Sequence, residues 1–371
     1  MKDSRAEKGT SEAEGQAAGA AEAAVDAEEQ AAGEEFSRLS ASDLTGALLR
    51  SVSRSFYLTI RWLPSAMRPG VALGYLLARA TDSVADTSTA SLALRLDVLE
   101  AMGKAVAGTL PTGEREALLT RLREEMAPAQ EKASEAALLC RFGEALQALL
   151  ALPSEQADCV RSVLATIVEG QRWDLSYFAK HRRVTDDGQT RTYTILVAGC
   201  VGKFWTELGR LTLGDAFCSA ERLSLMTQAG IRYGQGLQLV NILRDREEDG
   251  ARGREYLCSE PAVWRNRALR YLQDGLDYSR RLKLFRLRFA SMLPALIGLK
   301  TLRLPEISGG EISRGEVPEG KISGEKMSGG EVPEGGMPGE RGAGKKAKIS
   351  RRQVYLCVLR ALWLSARKPV F

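Results

Sequence analysis

The chain has 371 residues, of which 44% are hydrophobic and 27% charged, with a formal net charge of +5. That length holds one large domain or two ordinary ones, and the balance is that of a globular protein. The cationic excess is too small for a nucleic-acid binder and is compatible with anionic substrates or an anionic membrane surface.

Residues 1–38 are an Ala/Glu-rich acidic segment with few large side chains. Such a segment buries too little surface to offset its ordering entropy, so a disordered tail is expected, and it lacks the apolar core of a signal peptide. From Ser40 apolar residues recur at helical spacing, through Leu44, Leu48, Leu49 and Val52, then 71–85, 92–106, 136–152 and 160–167. Alternating β-branched runs are scarce. The pattern predicts an all-α fold, with a helical domain over 39–305 packed as a single bundle. Residues 306–346 break it: Gly-Glu-Val-Pro-Glu-Gly occurs at 315–320 and again at 330–335. These repeats have no apolar face to stack, so they predict a low-complexity loop inserted in the domain. Helical patterning returns at Ile349, and 347–371 is expected to form the domain's C-terminal helix. No run of 18 apolar residues occurs, so no membrane span is expected.

The chain has a single histidine, His181. That excludes histidine-based triads and makes zinc improbable chemistry, leaving carboxylates, Arg, Lys, Tyr or another bound metal ion. The six cysteines, Cys140, Cys159, Cys200, Cys218, Cys258 and Cys357, form no Cys-x-x-Cys pair. They are expected as reduced, buried thiols of a cytoplasmic protein.

Two segments carry the chemistry. In 75–86, Tyr-Leu-Leu-Ala-Arg-Ala-Thr-Asp-Ser-Val-Ala-Asp, the residues Arg79, Asp82 and Asp86 share one helix face within apolar surroundings. Two carboxylates placed there repel each other and lose hydration, and a hard cation such as Mg²⁺ removes both penalties. The competing reading is an exposed acid pair with Arg79 as salt-bridge partner. In the second segment Gln238, Asn241, Asp245, Glu248 and Asp249 form one polar stripe on an otherwise apolar helix. If the two helices face each other, metal ions between them grip a diphosphate as a leaving group and arginines bind its remaining oxygens. Aromatic residues such as Phe56, Tyr75, Tyr193, Phe204 and Trp205 are candidates to wall off the resulting carbocation from water.

These segments belong to four ordered blocks that resemble the squalene/phytoene synthase family, over roughly Ser51 to Pro294 and the C-terminal helix. The blocks are Ser53-Arg54-Ser55-Phe56, then Tyr75 through Asp86, then Tyr193-Thr-Ile-Leu-Val-Ala-Gly199-Cys-Val-Gly202, and Asn241 through Asp249 followed by Gly253-Arg254-Glu255. The resemblance implies an isoprenoid synthase type of bundle and head-to-head condensation of two farnesyl diphosphates through presqualene diphosphate to squalene. It implies Mg²⁺ on Asp82, Asp86, Asp245, Glu248 and Asp249, and diphosphate contacts from Arg54, Arg79, Arg244 and Arg254. Tyr193 matches a tyrosine of proton transfer or cation stabilisation, with Arg79, Asp82 and Asp245 beside it in the catalytic set. Phe56, Tyr75, Val201, Trp205, Gln238 and Asn241 match substrate-lining positions. NADPH reduction is implied by a basic segment in which Lys348 and Arg351, with Asn241, are the cofactor-binding candidates; Ser350 stands there where a basic residue can occur. No Gly-rich dinucleotide motif is present.

The blocks look nearest to the squalene-forming bacterial members. Phytoene or dehydrosqualene synthesis without NADPH, release of presqualene diphosphate, and a non-catalytic assembly role are the alternatives. The apolar end of the chain, punctuated by Arg360, Arg367 and Lys368, is compatible with peripheral contact at the inner membrane face or with a core helix. The sequence leaves the oligomeric state open.

Overall fold

The computed structural model describes residues 44–53, 56–308 and 349–366. Among them no strand forms; the nearest approach to one is a single parallel bridge between Arg183 and Glu255. The chain is all-α, as its periodicity predicts. The acidic tail and residues 309–346 of the repeat segment lie outside the described residues, while Pro305–Ser308 closes a single helical turn.

The helices are α1 (Leu49–Ser53), α2 (Phe56–Arg61), α3 (Arg68–Asp86), α4 (Leu92–Ala107), α5 (Thr112–Arg121), α6 (Ala133–Cys140) and α7 (Phe142–Leu150). They continue as α8 (Ser154–Phe178), α9 (Asp187–Thr194), α10 (Cys200–Leu213), α11 (Leu223–Ala251), α12 (Pro261–Arg281), α13 (Phe285–Thr301) and α14 (Arg351–Ser365). Two expected spans change. The apolar run 136–152 is two helices, because Arg141 leaves helical geometry at φ −100°, ψ 14°. The run 160–167 is the middle of the much longer α8, whose later turns bury Gln171 and Asp174 among apolar neighbours and so hide its periodicity.

The chain divides into two compact units. One comprises Met1–Ser176 with Lys203–Thr227, the other Tyr177–Gly202 with Gln228–Phe371. In the first, α3 is the hub, touching α1, α2, α4, α6 and α7. Leu76, Leu77, Ala80 and Val84 have no exposed surface. Gly74 lets Phe204 of α10 lie against the helix, 3.2 Å from where a Cβ would stand.

In the second unit α11 meets the segment 195–202 almost backbone to backbone. A Cβ on Gly202 would stand 1.9 Å from the Gly230 carbonyl oxygen, and one on Gly234 would stand 2.1 Å from that of Ala198. Neither oxygen can withdraw without breaking its helix, so glycine is obligatory at both positions. Residues 195–199 form one wide π turn at this contact. Further along α11, Tyr233 is buried, lies over Gly275 of α12 and donates its hydroxyl to the Ser291 carbonyl of α13 at 2.6 Å. Arg288, 6% exposed, donates to the carbonyls of Leu282 (2.9 Å), Lys283 (2.7 Å) and Ser365 (2.9 Å). A cation thereby satisfies the closing carbonyls of α12 and α14. None of the described helices is long and apolar enough to cross a membrane.

The glycine contact is directly testable. Gly202→Ala is expected to cost about 3 kcal/mol, read as a fall in Tm of roughly 6–12 °C by thermal unfolding. Gly113→Ala, at a position with open space around it, is the control and leaves Tm nearly unchanged.

Candidate active site

Between Val71 and Asp86 only Tyr75, Ala78, Arg79, Asp82 and Asp86 of α3 escape burial. Three of them, Arg79, Asp82 and Asp86, form the stripe read from the sequence, and Tyr75 extends it into one open face on a helix otherwise enclosed. Tyr75 opens it, its hydroxyl donating to the Val52 carbonyl at 3.1 Å and its ring 5.2 Å from that of Phe56. Arg79 organises the rest: Nη1 donates to Asp82 Oδ2 and Nη2 to Glu135 Oε1, both at 2.5 Å. Lys132 Nζ donates to the same Glu135 oxygen at 2.7 Å.

The charges on this face are balanced unevenly. Burial works against the Arg79 cation, but Asp82 and Glu135 more than offset it and hold the guanidinium above its ordinary range. Burial likewise opposes the Glu135 carboxylate, yet the hydrogen bonds from Lys132 and Arg79 hold its pKa below the usual value. Asp82 goes the other way. Loss of hydration and the neighbouring Asp86 charge push it up to about 7, against the pull of Arg79. Its side chain keeps 43% of its surface, so solvent screening tempers that rise. The acid pair therefore carries more negative charge than its own cations neutralise. An oxygen-seeking divalent ion fits that donor set.

In the second unit, α11 holds the other stripe. Gln238, Asn241, Asp245, Glu248 and Asp249 are half-buried, while Leu239, Val240, Ile242 and Leu243 between them are buried. Arg244 grips Asp245 with both ends of its fork, Nε to Oδ1 at 2.9 Å and Nη2 to Oδ2 at 2.5 Å. That bond raises the arginine further above its ordinary value. Asn241 Nδ2 donates to Gln238 Oε1 at 3.3 Å, and Arg252 pairs with Glu248 at 3.0 Å. Among the described residues the acids stand in pairs, with no group of three or more Asp, Glu, His or Cys gathered for a metal ion.

The turn after α11 ties this stripe to Tyr193. Gly253 adopts φ +78°, which only glycine takes without strain. The chain then reverses so that the Arg254 amide donates to the Asp249 carbonyl at 2.8 Å. Glu255 next exchanges backbone hydrogen bonds with Arg182 and Val184, both at 3.0 Å. Tyr256 follows, accepting from Thr190 Oγ1 at 2.7 Å and stacking its ring 4.9 Å from that of the buried Tyr193. A pocket of about 390 Å³ opens here, lined in part by Arg183, Arg246, Asp249, Arg254, Glu255 and Ser259.

A model of the family described as Squalene/phytoene synthase matches residues 49–261, more than half of the chain. The chain belongs to that family. The match contains all four sequence blocks, from Ser53 to Glu255. Curated relatives similar to it are bifunctional lycopene cyclase/phytoene synthases. That of Phaeosphaeria nodorum is 26% identical over 251 residues, covering 66% of this chain and 37% of the relative. That of Blakeslea trispora is 26% identical over 230 residues, covering 62% and 34%. The chain thus spans little more than a third of the length of these relatives. Among solved structures, a ligand complex of TcSQS is similar with a TM-score of 0.57 at 19% identity, covering 89% of each chain. A ligand complex of a dehydrosqualene synthase has a TM-score of 0.52 at 18% identity, covering 88% of this chain and 96% of the other. At such identities the likeness establishes the fold, the isoprenoid synthase bundle.

Other candidate positions fare differently. Val201 is 38% exposed, and Trp205 is half-buried with an indole N–H that finds no hydrogen-bond partner among the described residues. Arg54, Lys348 and the side chain of Arg351 lie outside the described residues. Ser350, where a basic residue was compared, is the N-cap of α14: its hydroxyl accepts from the Gln353 amide and the Gln353 side chain returns to its own amide. A capping box thus accounts for the serine. The thiols depart from expectation. None of the six is in a disulfide, but Cys140 and Cys258 are exposed, the first at the end of α6 and the second in the turn past α11. Sequence reasoning missed Glu135 and Lys132, which sit more than fifty residues from Arg79 with no motif to mark them. It also missed Tyr256, three residues beyond the Gly253 that turns the chain.

The unbalanced acid pair has a signature in stability. Because the folded state raises the Asp82 pKa, it favours the protonated form, and the penalty for ionisation grows from about pH 4 to about pH 7 and stays above that. Asp82→Asn, whose amide oxygen still accepts from Arg79, is expected to raise Tm above pH 7 in the presence of chelator. The gain shrinks towards pH 4, as thermal unfolding across that range will show.

Proposed function

We propose that the protein joins two farnesyl diphosphates head to head through presqualene diphosphate and reduces the product to squalene with NADPH. The observation that carries the transferase half is the recurrence of one device on α3 and α11: two acids one turn apart, the first already bonded to an arginine, Arg79 to Asp82 and Arg244 to Asp245. Asp82 and Asp86, and likewise Asp245 and Asp249 with Glu248, are the residues that would hold Mg²⁺ on the diphosphates. The ion, when bound, would neutralise the diphosphate and improve it as a leaving group.

In the first step the C1–O bond of one farnesyl diphosphate breaks and its electron pair leaves with the diphosphate. The double bond of the second substrate supplies the pair for the new C–C bond, and loss of a proton closes a cyclopropane. Tyr193, buried and stacked on Tyr256, suits cation stabilisation or the relay of that proton to the departing diphosphate. Arg79, Arg244 and Arg254, with Arg54, keep the anionic end in place, and Phe56, Tyr75, Val201 and Trp205 are assigned to the prenyl chains. Presqualene diphosphate then loses its own diphosphate and rearranges; NADPH, when bound, would supply the hydride that quenches the final cation. Assignment of the reductant to Asn241, Lys348 and Arg351 rests on resemblance alone. The family match and the phytoene synthase names of both curated relatives favour, as a second reading, condensation without reduction.

Incubation of purified protein with farnesyl diphosphate and Mg²⁺, with and without NADPH, separates the readings. Squalene formed only with NADPH is expected. Dehydrosqualene or presqualene diphosphate regardless of NADPH, or a C40 product from geranylgeranyl diphosphate, sinks the squalene assignment. Asp245→Ala is expected to cut turnover at least about a hundredfold with unchanged helicity by circular dichroism; full activity in that variant refutes the metal-ligand assignment.

A further inference from the structure

Among the described residues most exposed large apolar side chains occur singly, as at Leu150, Leu211 and Leu225. On α14 they form a stripe. Leu356, Leu359 and Trp363 are exposed by 57%, 57% and 59%, and their three- and four-residue spacing places them on one face. The opposite face, with Cys357, Ala361 and Ser365, is buried, and α14 packs along α13. The two helices run antiparallel: Arg288 and Met292 of α13 meet Ser365, at 2.9 and 3.6 Å, while Lys300 acts on Cys357. The exposed Phe285 and Arg286 at the start of α13 are therefore at the Trp363 end of the stripe.

Charge singles out this region further. Residues 278–305 and 349–371 contain twelve Lys and Arg and no Asp or Glu, in a chain whose net charge is only +5. Arg281, Lys283, Arg286 and Arg360 among them are exposed. An apolar stripe on a helix that carries cations and no acids, and that packs on another of the same kind, has the chemistry of a helix that lies in the boundary of an anionic bilayer, with tryptophan at headgroup depth. A second copy of the same face would bring cation against cation. The acidic residues 1–38 match the charge but contain only Met1, Val25 and Phe36 as large apolar residues to fill the stripe.

We infer that the outer face of α14 docks on the surface of a bilayer containing anionic lipid. Leu356, Leu359 and Trp363 enter the headgroup–acyl boundary, and Arg360 with the neighbouring basic residues meets the lipid phosphates. This is independent of which prenyl product the enzyme makes.

Sedimentation of the full chain with vesicles tests it, using phosphatidylcholine mixed with phosphatidylglycerol against phosphatidylcholine alone, at low and high salt. The wild type is expected to pellet with the mixed vesicles and to be released by salt. The triple variant Leu356→Gln, Leu359→Gln and Trp363→Gln is expected to bind at least about tenfold more weakly at an unchanged Tm. Should the triple variant unfold, Arg360→Glu, altering one exposed charge, must still weaken binding. Wild-type protein that stays in the supernatant, variants that bind like wild type, or a light-scattering dimer dissolved by the triple variant would each overturn the inference, the last in favour of a second copy on this face.

Discussion

The acidic face of α3 exists because one guanidinium is shared. Carboxylates within an enclosed helix face a large loss of hydration, and Arg79 meets that cost at Asp82 only in part, since it also serves the buried Glu135. Lys132 relieves Arg79 at Glu135; among the described residues nothing comparable relieves Asp86 of its repulsion with Asp82. A fully neutralised pair would hold no attraction for an added cation, and an unsupported one would not survive burial. The arrangement lies between these limits, where residual negative charge persists in the folded protein and a divalent ion becomes the completing partner.

On α11 the same balance is reached with fewer parts. Arg244 and Asp245 are neighbours in sequence, so their bidentate bond needs no second helix. What α11 needs from elsewhere is position. Gly202 and Gly234 let it lie against the residues that follow Tyr193, and the turn at Gly253 returns Tyr256 to the Tyr193 ring. Packing of the helix and placement of the tyrosine thus arise from the same short stretch of chain.

Much of this was legible in the sequence. The stripes on α3 and α11 follow from three- and four-residue spacing, which depends only on the local helix. The blocks around Gly199 and Gly253 were recognisable as family motifs, though their physical reason, a backbone contact and a left-handed turn, was not. Residues that act across distance left no such trace. Glu135 reads as an ordinary first-turn acid until Arg79 is placed beside it. Arg141 breaks a run whose apolar residues continue on both sides. Cys140 and Cys258 have apolar neighbours in sequence yet sit where the chain turns outward, since burial is decided by what packs on a residue and not by what precedes it.

The three carbonyls gathered by Arg288 bear on how the protein can be handled. Its guanidinium is buried, burial lowers its pKa, and one of its acceptors is the carbonyl of Ser365. Shortening the chain past that residue would remove an acceptor from a cation that has little contact with water. Tags, fusions and truncations therefore have a fixed inner limit at Ser365, set by electrostatics at the junction of α12, α13 and α14 and not by the apolar packing of the final helix.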